Sequence, residues 1–116
     1  GYMRGIPVNV LVDSGASHNF ISKTLAMVAN VDITTIKPFG IRLGDGHRVI
    51  SQGICGRVEV TLEYFAFTTE AYVFDTGGLE LVLGMTWLKS LGSVITNWKY
   101  KTMEFLWNGL EVKLHG

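Results

Sequence analysis

The sequence predicts an all-β chain with two short helices, and three observations carry that expectation. Val58, Val60 and Leu62 alternate with Glu59, Thr61 and Glu63, the period of a strand with one face in a core and one in solvent. Asp45-Gly46 and Asn108-Gly109, dipeptides suited to tight hairpin turns, each sit between apolar runs. Convincing helical stretches are only two and short, near Leu25 and near Trp87.

Ile6 to Val12 is an apolar run interrupted only by Pro7 and Asn9, and it ends at Asp13-Ser14-Gly15. It predicts a strand buried on both faces, followed by a turn. Ile21, Leu25 and Val28 fall at i, i+4, i+7 and predict a helix over 21–29, with Ser17 and Asn19 as candidate caps and Asn30 as its stop. From Phe39 the pattern returns to strand, and Gly44-Asp45-Gly46 between Ile41-Leu43 and Val49-Ile50 predicts a hairpin. The alternating run at 58–62 follows, and Tyr64 to Phe74 stays β-rich until Gly77-Gly78 breaks it. Leu79 to Leu83 is another buried run, and Trp87 to Leu91 predicts a short helix stopped by Gly92. Val94 to Trp98, Met103 to Trp107 and Leu110 to Leu114 read as strands, the last two joined through Asn108-Gly109. Val10 to Gly15 echoes Leu81 to Gly84: each is a buried strand ending in glycine ahead of a helix, which suggests two similar half-units.

A length of 116 residues fits one domain spanning 1–116, and no linker, low-complexity tract or charge block divides it. Ten basic and ten acidic residues cancel without forming blocks. That balance argues against an electrostatic footprint for nucleic acid or an anionic membrane. The composition, 47% hydrophobic against 17% charged, is apolar for a small soluble domain and hints at surface hidden by a partner. No apolar run approaches the ~20 residues that span a bilayer, and no signal peptide is recognisable. The lone Cys55 excludes an internal disulfide and a thiolate metal cluster, and is compatible with a reducing compartment. The start at Gly1, with strand-like sequence almost at once, reads as a piece of a longer polypeptide.

Asp13 is the most unusual residue. A carboxylate at the end of an apolar strand is costly unless hydrogen bonds or a partner charge support it. On spacing alone it is either a functional carboxylate or a residue capping the turn, since Asp-Ser-Gly is common turn chemistry. Other candidates carry less. His18, His47 and His115 lack metal-ligand spacing. Ser14 and His18 have neither a nucleophile-elbow context nor an orienting acid. Cys55 has no base nearby in sequence and reads as a small packed residue. Trp87, Trp98 and Trp107 read as core or partner-facing aromatics. Trp98-Lys99-Tyr100-Lys101 mixes aromatic and basic residues as a single-strand binder would, but without a larger basic surface.

Leu11-Val12-Asp13-Ser14-Gly15-Ala16 resembles the active-site strand of the aspartic proteases. The longer run VDSGASHNFIS is similar to the protease segment of plant long-terminal-repeat retrotransposons of the gypsy type. Leu83-Gly84-Met85-Thr86-Trp87-Leu88 resembles that family's second landmark, and Ile95-Thr96-Asn97-Trp98 its closing aromatic strand. The resemblance spans almost the whole chain. It implies an acid-protease (retropepsin) barrel-like fold with two short helices, forming one lobe of a twofold dimer. It implies an aspartic endopeptidase acting on an extended polypeptide, a retroelement polyprotein, with a second copy of itself as partner. Neither metal nor organic cofactor is implied, and the setting would be cytoplasmic, including virus-like particles.

Such an enzyme needs two carboxylates facing one water, sharing a proton because two close carboxylates do not both ionise easily. One Asp-Ser-Gly motif per chain therefore implies that Asp13 meets its symmetry mate. The resemblance assigns Ser14 and Gly15 to support of the active-site turn. It assigns Gly15, Ala16, Ser17, His18, Gly44, Asp45, Gly46 and Val82 to substrate contact, with the hairpin 43–50 as a flap. Ser17-His18 stands where viral relatives often carry acidic residues, and Thr86 where plant relatives often carry Asp. The internal rival is Asp75-Thr76-Gly77, which would make one chain sufficient. Only Tyr72-Val73-Phe74 precedes it and Gly78 follows where Ala is usual, so it reads as a loop. The alternative function is a catalytically silent dimerisation or peptide-binding module of the same fold. A ubiquitin-pathway protein with this fold would need flanking domains. Family dimers commonly interleave their termini, whereas Asn108-Gly109 favours a hairpin within one chain.

Overall fold

Strand periodicity sets the architecture of the computed structural model, which describes residues 1–116. The first part of the chain forms β1 (Tyr2–Met3), β2 (Ile6–Pro7), β3 (Asn9–Val12), β4 (Phe20–Ser22), α1 (Lys23–Val28) and β5 (Thr34–Arg42). Then follow β6 (Arg48–Leu62), β7 (Phe65–Phe74), β8 (Glu80–Leu83), α2 (Met85–Leu91), β9 (Val94–Asn97), β10 (Thr102–Trp107) and β11 (Leu110–His115).

The main sheet runs β2-β1-β6-β7-β4-β8-β3, with β5 also on β6, and wraps into a nearly closed barrel. Its spine is the long β6, antiparallel to β7 from Ile54↔Tyr72 to Leu62↔Phe65, with a register shift between Cys55 and Val58. A bulge of this kind adds twist and lets one strand serve several neighbours. Val58 and Val60 face the core as the alternation requires. The second sheet, β11-β10-β9, is antiparallel and formed within the chain. Its hairpin turns at Asn108 (φ 51°) and Gly109 (φ 81°), the left-handed pair that such a two-residue turn needs.

One core joins both sheets and both helices. Leu25, Leu81, Leu83 and Trp87 pack in it with Phe105, Val112 and Leu114 of the second sheet. A smaller cluster of Ala16, Phe20, Ile41 and Val82 lies beneath the β5–β6 hairpin.

Two local expectations need correction. The first helix begins at Lys23 rather than Ile21, and its N-cap is Ser22, whose Oγ accepts the Leu25 N–H at 3.1 Å. Phe20-Ile21-Ser22 are drawn into the sheet between β7 and β8, so Ser17 and Asn19 cap nothing. The i, i+4 match of Ile21 and Leu25 holds because a strand end and the helix after it bury both. Asn30 does follow the helix end, at φ +55°.

The second correction concerns β3. It pairs only with β8 and ends the path of the main sheet, and Leu11 and Val12 remain 50% and 46% exposed. The apolar run is thus not buried on both faces in a single copy. Of the tryptophans, Trp87 is core at 2% exposure, while Trp98 lies beyond β9 and is 88% exposed.

Candidate active site

β3 and β8 run parallel and in register from Asn9↔Glu80 to Val12↔Leu83, so the two echoing segments are direct neighbours. The Asp13 N–H donates to the Leu83 carbonyl at 3.0 Å, which extends the ladder by one residue. The chain then turns sharply, with the Ala16 N–H on the Asp13 carbonyl at 3.1 Å. The Gly15 N–H donates to Asp13 Oδ1 at 2.9 Å. The carboxylate is therefore aimed by its own turn, and the strand end fixes where it stands.

The loop from Asp13 to Asn19 is clamped to the β8–α2 junction. Met85 N–H donates to the Ala16 carbonyl at 2.9 Å, and Gly84 N–H to Asn19 Oδ1 at 2.9 Å. Asn19 is buried, and its Nδ2 donates to Thr69 Oγ1 at 2.9 Å and to the Glu70 carbonyl at 3.1 Å. Gly84 is pressed so closely to this loop that a Cβ would stand 2.4 Å from the His18 carbonyl oxygen. Glycine is required there by contact.

The hairpin between β5 and β6 folds over this loop. It is closed by Leu43 N–H to the His47 carbonyl and Gly46 N–H to the Leu43 carbonyl, at 2.8 and 3.1 Å. Ser17 N–H donates to the Arg42 carbonyl and Arg42 N–H to Ser17 Oγ, both at 3.1 Å. Gly44 lies directly on the Asp13 carboxylate: a Cβ there would stand 2.1 Å from Asp13 Oδ2 and 2.7 Å from Oδ1. Gly15 meets the same segment, with its own Cβ position 2.9 Å from Gly44 Cα.

Asp13, Gly15 and Gly44 are thus brought together, with Ser17 tied to Arg42 alongside. His18 stands edge-on to Phe39 and Tyr72, ring centroids 5.1 and 5.5 Å away, and its Nδ1 is 2.9 Å from Ser17 Oγ. Val82 and Ala16 form the buried floor with Phe20 and Ile41. Asp45 and Gly46 stand exposed at the outer turn, where the Asp45 carboxylate engages His47. Ser14 is exposed and faces an open cleft of about 830 Å³ between β3 and the second sheet, lined also by Val12, Thr96, Trp98 and Met103. That cleft does not contain Asp13.

Asp75 is placed elsewhere. It follows β7, which is three strands from β3 in the sheet order. The registers Ser22↔Phe74 and Ile21↔Leu81 put it near the Glu80 end of β8, whereas Asp13 adjoins the Leu83 end. Three strand spacings alone are roughly 14 Å, too far for two carboxylates to share one water. The histidines also stand apart: His18 in the aromatic cluster, His47 on Asp45, His115 on Glu63. Nowhere do three His, Cys, Asp or Glu side chains group as a metal site, and no helix is long and apolar enough to cross a membrane.

The model of the family described as retroviral aspartyl protease matches residues 2–105, a span that includes Asp13, the hairpin and α2. Among solved structures, the chain is similar to the retroviral protease-like domain of Ddi1 from Leishmania major. The TM-score is 0.64, with 18% identity over 98% of this chain and 88% of that one, a likeness of fold. No curated protein matches.

Proposed function

The chain belongs to the retroviral aspartyl protease family, and we propose that two copies of it together form one aspartic endopeptidase. The observation that carries this is the placement of Asp13, a carboxylate aimed by the Gly15 N–H at the end of β3 and under a hairpin. Across the twofold axis of a dimer, Asp13 of each copy would face one water. One carboxylate removes a proton from the water as its oxygen attacks the peptide carbonyl carbon, and the protonated carboxyl gives its proton to the carbonyl oxygen. The resulting diol collapses as a proton passes to the amide nitrogen and the C–N bond breaks. The pair works with one proton between them, which favours acidic to near-neutral pH.

The unfilled edge of β3 supports a partner. Leu11 and Val12 stand half exposed beside Ser14, and Trp98, 88% exposed, lines the same cleft as Val12 and Ser14. These are residues a single copy leaves in water at a hydrophobic cost. The substrate would be an extended polypeptide, pairing its backbone with the Ser17 region and the hairpin. A retroelement polyprotein, met in the cytoplasm, is the substrate the likeness of VDSGASHNFIS supports. Residues 1–116 would serve as one domain in this role.

One observation favours a second reading, a catalytically silent module for dimerisation or peptide binding: Gly44 lies on the Asp13 carboxylate and leaves no room for a peptide between them. Cleavage of a mixed peptide library from pH 3 to 8, bounds set roughly around the dyad range, separates the two. The protease reading expects cleavage that vanishes in Asp13→Asn and is blocked by a statine-containing peptide. Absence of cleavage at concentrations where sedimentation shows a dimer would establish the silent module instead.

A further inference from the structure

The β5–β6 hairpin has two faces, and the fold uses only one of them. Phe39, Ile41 and Val49 belong to the small apolar cluster beneath it. Strand alternation therefore turns Gly40, Arg42, Arg48 and Ile50 to the other side, where all four are exposed. We propose that this outer face is a docking site for an acidic polypeptide: a carboxylate of the partner seats across Arg42 and Arg48, and an apolar side chain two residues along packs on Ile50. The face points away from the cluster, and its use does not depend on whether Asp13 cleaves peptides.

Arg42 and Arg48 stand directly opposite each other across the two strands. Residues so paired lie roughly 5 Å apart at Cα, and like charges there repel. No acid of the chain relieves them. Asp45, the nearest in sequence, is engaged by His47, and the remaining ion pairs involve neither arginine. A carboxylate placed between the two guanidinium groups removes the repulsion and meets planar N–H forks suited to its two oxygens. The stem is also held in place: the Arg42 carbonyl accepts the Ser17 N–H and the Arg42 N–H donates to Ser17 Oγ, at 3.1 Å each. The two cations are thus presented on a fixed strand pair.

The neighbouring pair says what carries the carboxylate. Gly40 stands opposite Ile50, and a Cβ at Gly40 would meet no atom within 4 Å. Ile50 therefore has no cross-strand side chain against it and is 64% exposed. This leaves an apolar notch on the same face as the arginines, roughly 7 Å along the strands. A free inorganic anion gains nothing from such a notch. Nucleic acid is favoured by a broader basic surface than two arginines in a chain whose ten basic and ten acidic residues cancel. An extended peptide with a carboxylate and, two positions on, an apolar residue matches both parts at once, because its own side chains repeat on one face at the same spacing.

NMR on the full isotope-labelled chain reads the site, with a threonine-rich peptide carrying one glutamate and, two positions on, one valine as the probe. The amides of Gly40, Arg42, Arg48 and Ile50 should shift together and saturate. The double variant Arg42→Gln, Arg48→Gln should bind at least about tenfold more weakly, and a probe with glutamine in place of glutamate should lose as much. Ile50→Thr should weaken binding several-fold. Each arginine variant should melt no lower than the wild type, because the change removes a repulsion; a lower melting temperature would show that the guanidinium holds a structural contact and would contradict an unpartnered pair. Inorganic phosphate and an oligouridylate are the rival anions. If either shifts the same signals at lower concentration than the peptide, the face is a bare anion or nucleic-acid site and the polypeptide partner is overturned. Binding unchanged in the double variant, or shifts confined to Asp13, Gly15 and Ser17, would overturn the docking face.

Discussion

Asn19 Oδ1 accepts the backbone N–H of Gly84 at 2.9 Å, tying the loop that carries Asp13 to the junction where β8 becomes α2. The same side chain reaches Thr69 and the Glu70 carbonyl with its two N–H groups. One buried amide thus holds three segments from separate parts of the chain, and the two sequence motifs become a single device through it.

Asn19→Ala would strip all three bonds and leave the Gly84 N–H buried without an acceptor. A loss of that kind costs about 1–3 kcal/mol. Urea denaturation should show a lower midpoint with unchanged slope; a midpoint equal to the wild type would mean the amide is not structural.

Gly84→Ala tests the same junction from the other side. Its Cβ would meet the carbonyl oxygens of His18 and Ala16 at 2.4 and 2.7 Å, and these are backbone atoms that cannot swing aside. The loop must shift, at a cost of about 1–3 kcal/mol, and any cleavage activity should fall with the melting temperature. A variant as stable and as active as the wild type would contradict the close packing.

The outer turn of the hairpin carries a pH-sensitive pair. His47 Nδ1 lies 3.0 Å from Asp45 Oδ2. The side-chain hydrogen bond to Asp45 raises His47 above its ordinary 6.5, and the same bond lowers Asp45 below its ordinary 3.8. The His47 contribution is complete below pH 6.5 and is lost as pH rises through the raised value. The Asp45 contribution is complete above 3.8 and is lost as pH falls through the lowered one. The pair is therefore whole in the mildly acidic range between them. NMR titration should place His47 above its ordinary value in the wild type and return it towards that value in Asp45→Asn; identical titrations would show that the pair does not form in solution.

Cys55 is fully buried. Burial pushes its thiol up to about 11, with the negative charge of Asp32 adding to the effect. A thiol-specific reagent at pH 8 should label the native chain at least a hundredfold or so more slowly than the urea-unfolded chain, since the thiolate is the reactive form. Comparable rates would mean that the strand around Cys55 opens readily.

Much of this fold was legible because local patterns agree with it. The alternation of Val58 and Val60 and the turn chemistry of Asn108-Gly109 each act within a few residues. The Asp13 turn was legible for the same reason. Asn19 was not. It read as a helix cap because its partners lie some fifty and sixty-five positions away, and no local period records such a contact. The first helix was misplaced because Ile21 satisfies a helical spacing and a strand at once, and pairing with two neighbours decided for the strand. The exposure of Leu11 and Val12 was equally hidden, since an apolar run does not say whether its second face meets the same chain or another.

A site shared between two copies through Asp13 is tested most directly by mixing wild type with Asp13→Asn. Wild-type chain at fixed concentration is equilibrated with a ninefold excess of the variant, well above the concentration needed for dimers, and peptide cleavage is followed. Random pairing leaves roughly one-tenth of the wild-type chains with a wild-type partner, so the rate should fall about tenfold. Undiminished cleavage would show that each chain carries a complete site, and would contradict the shared dyad.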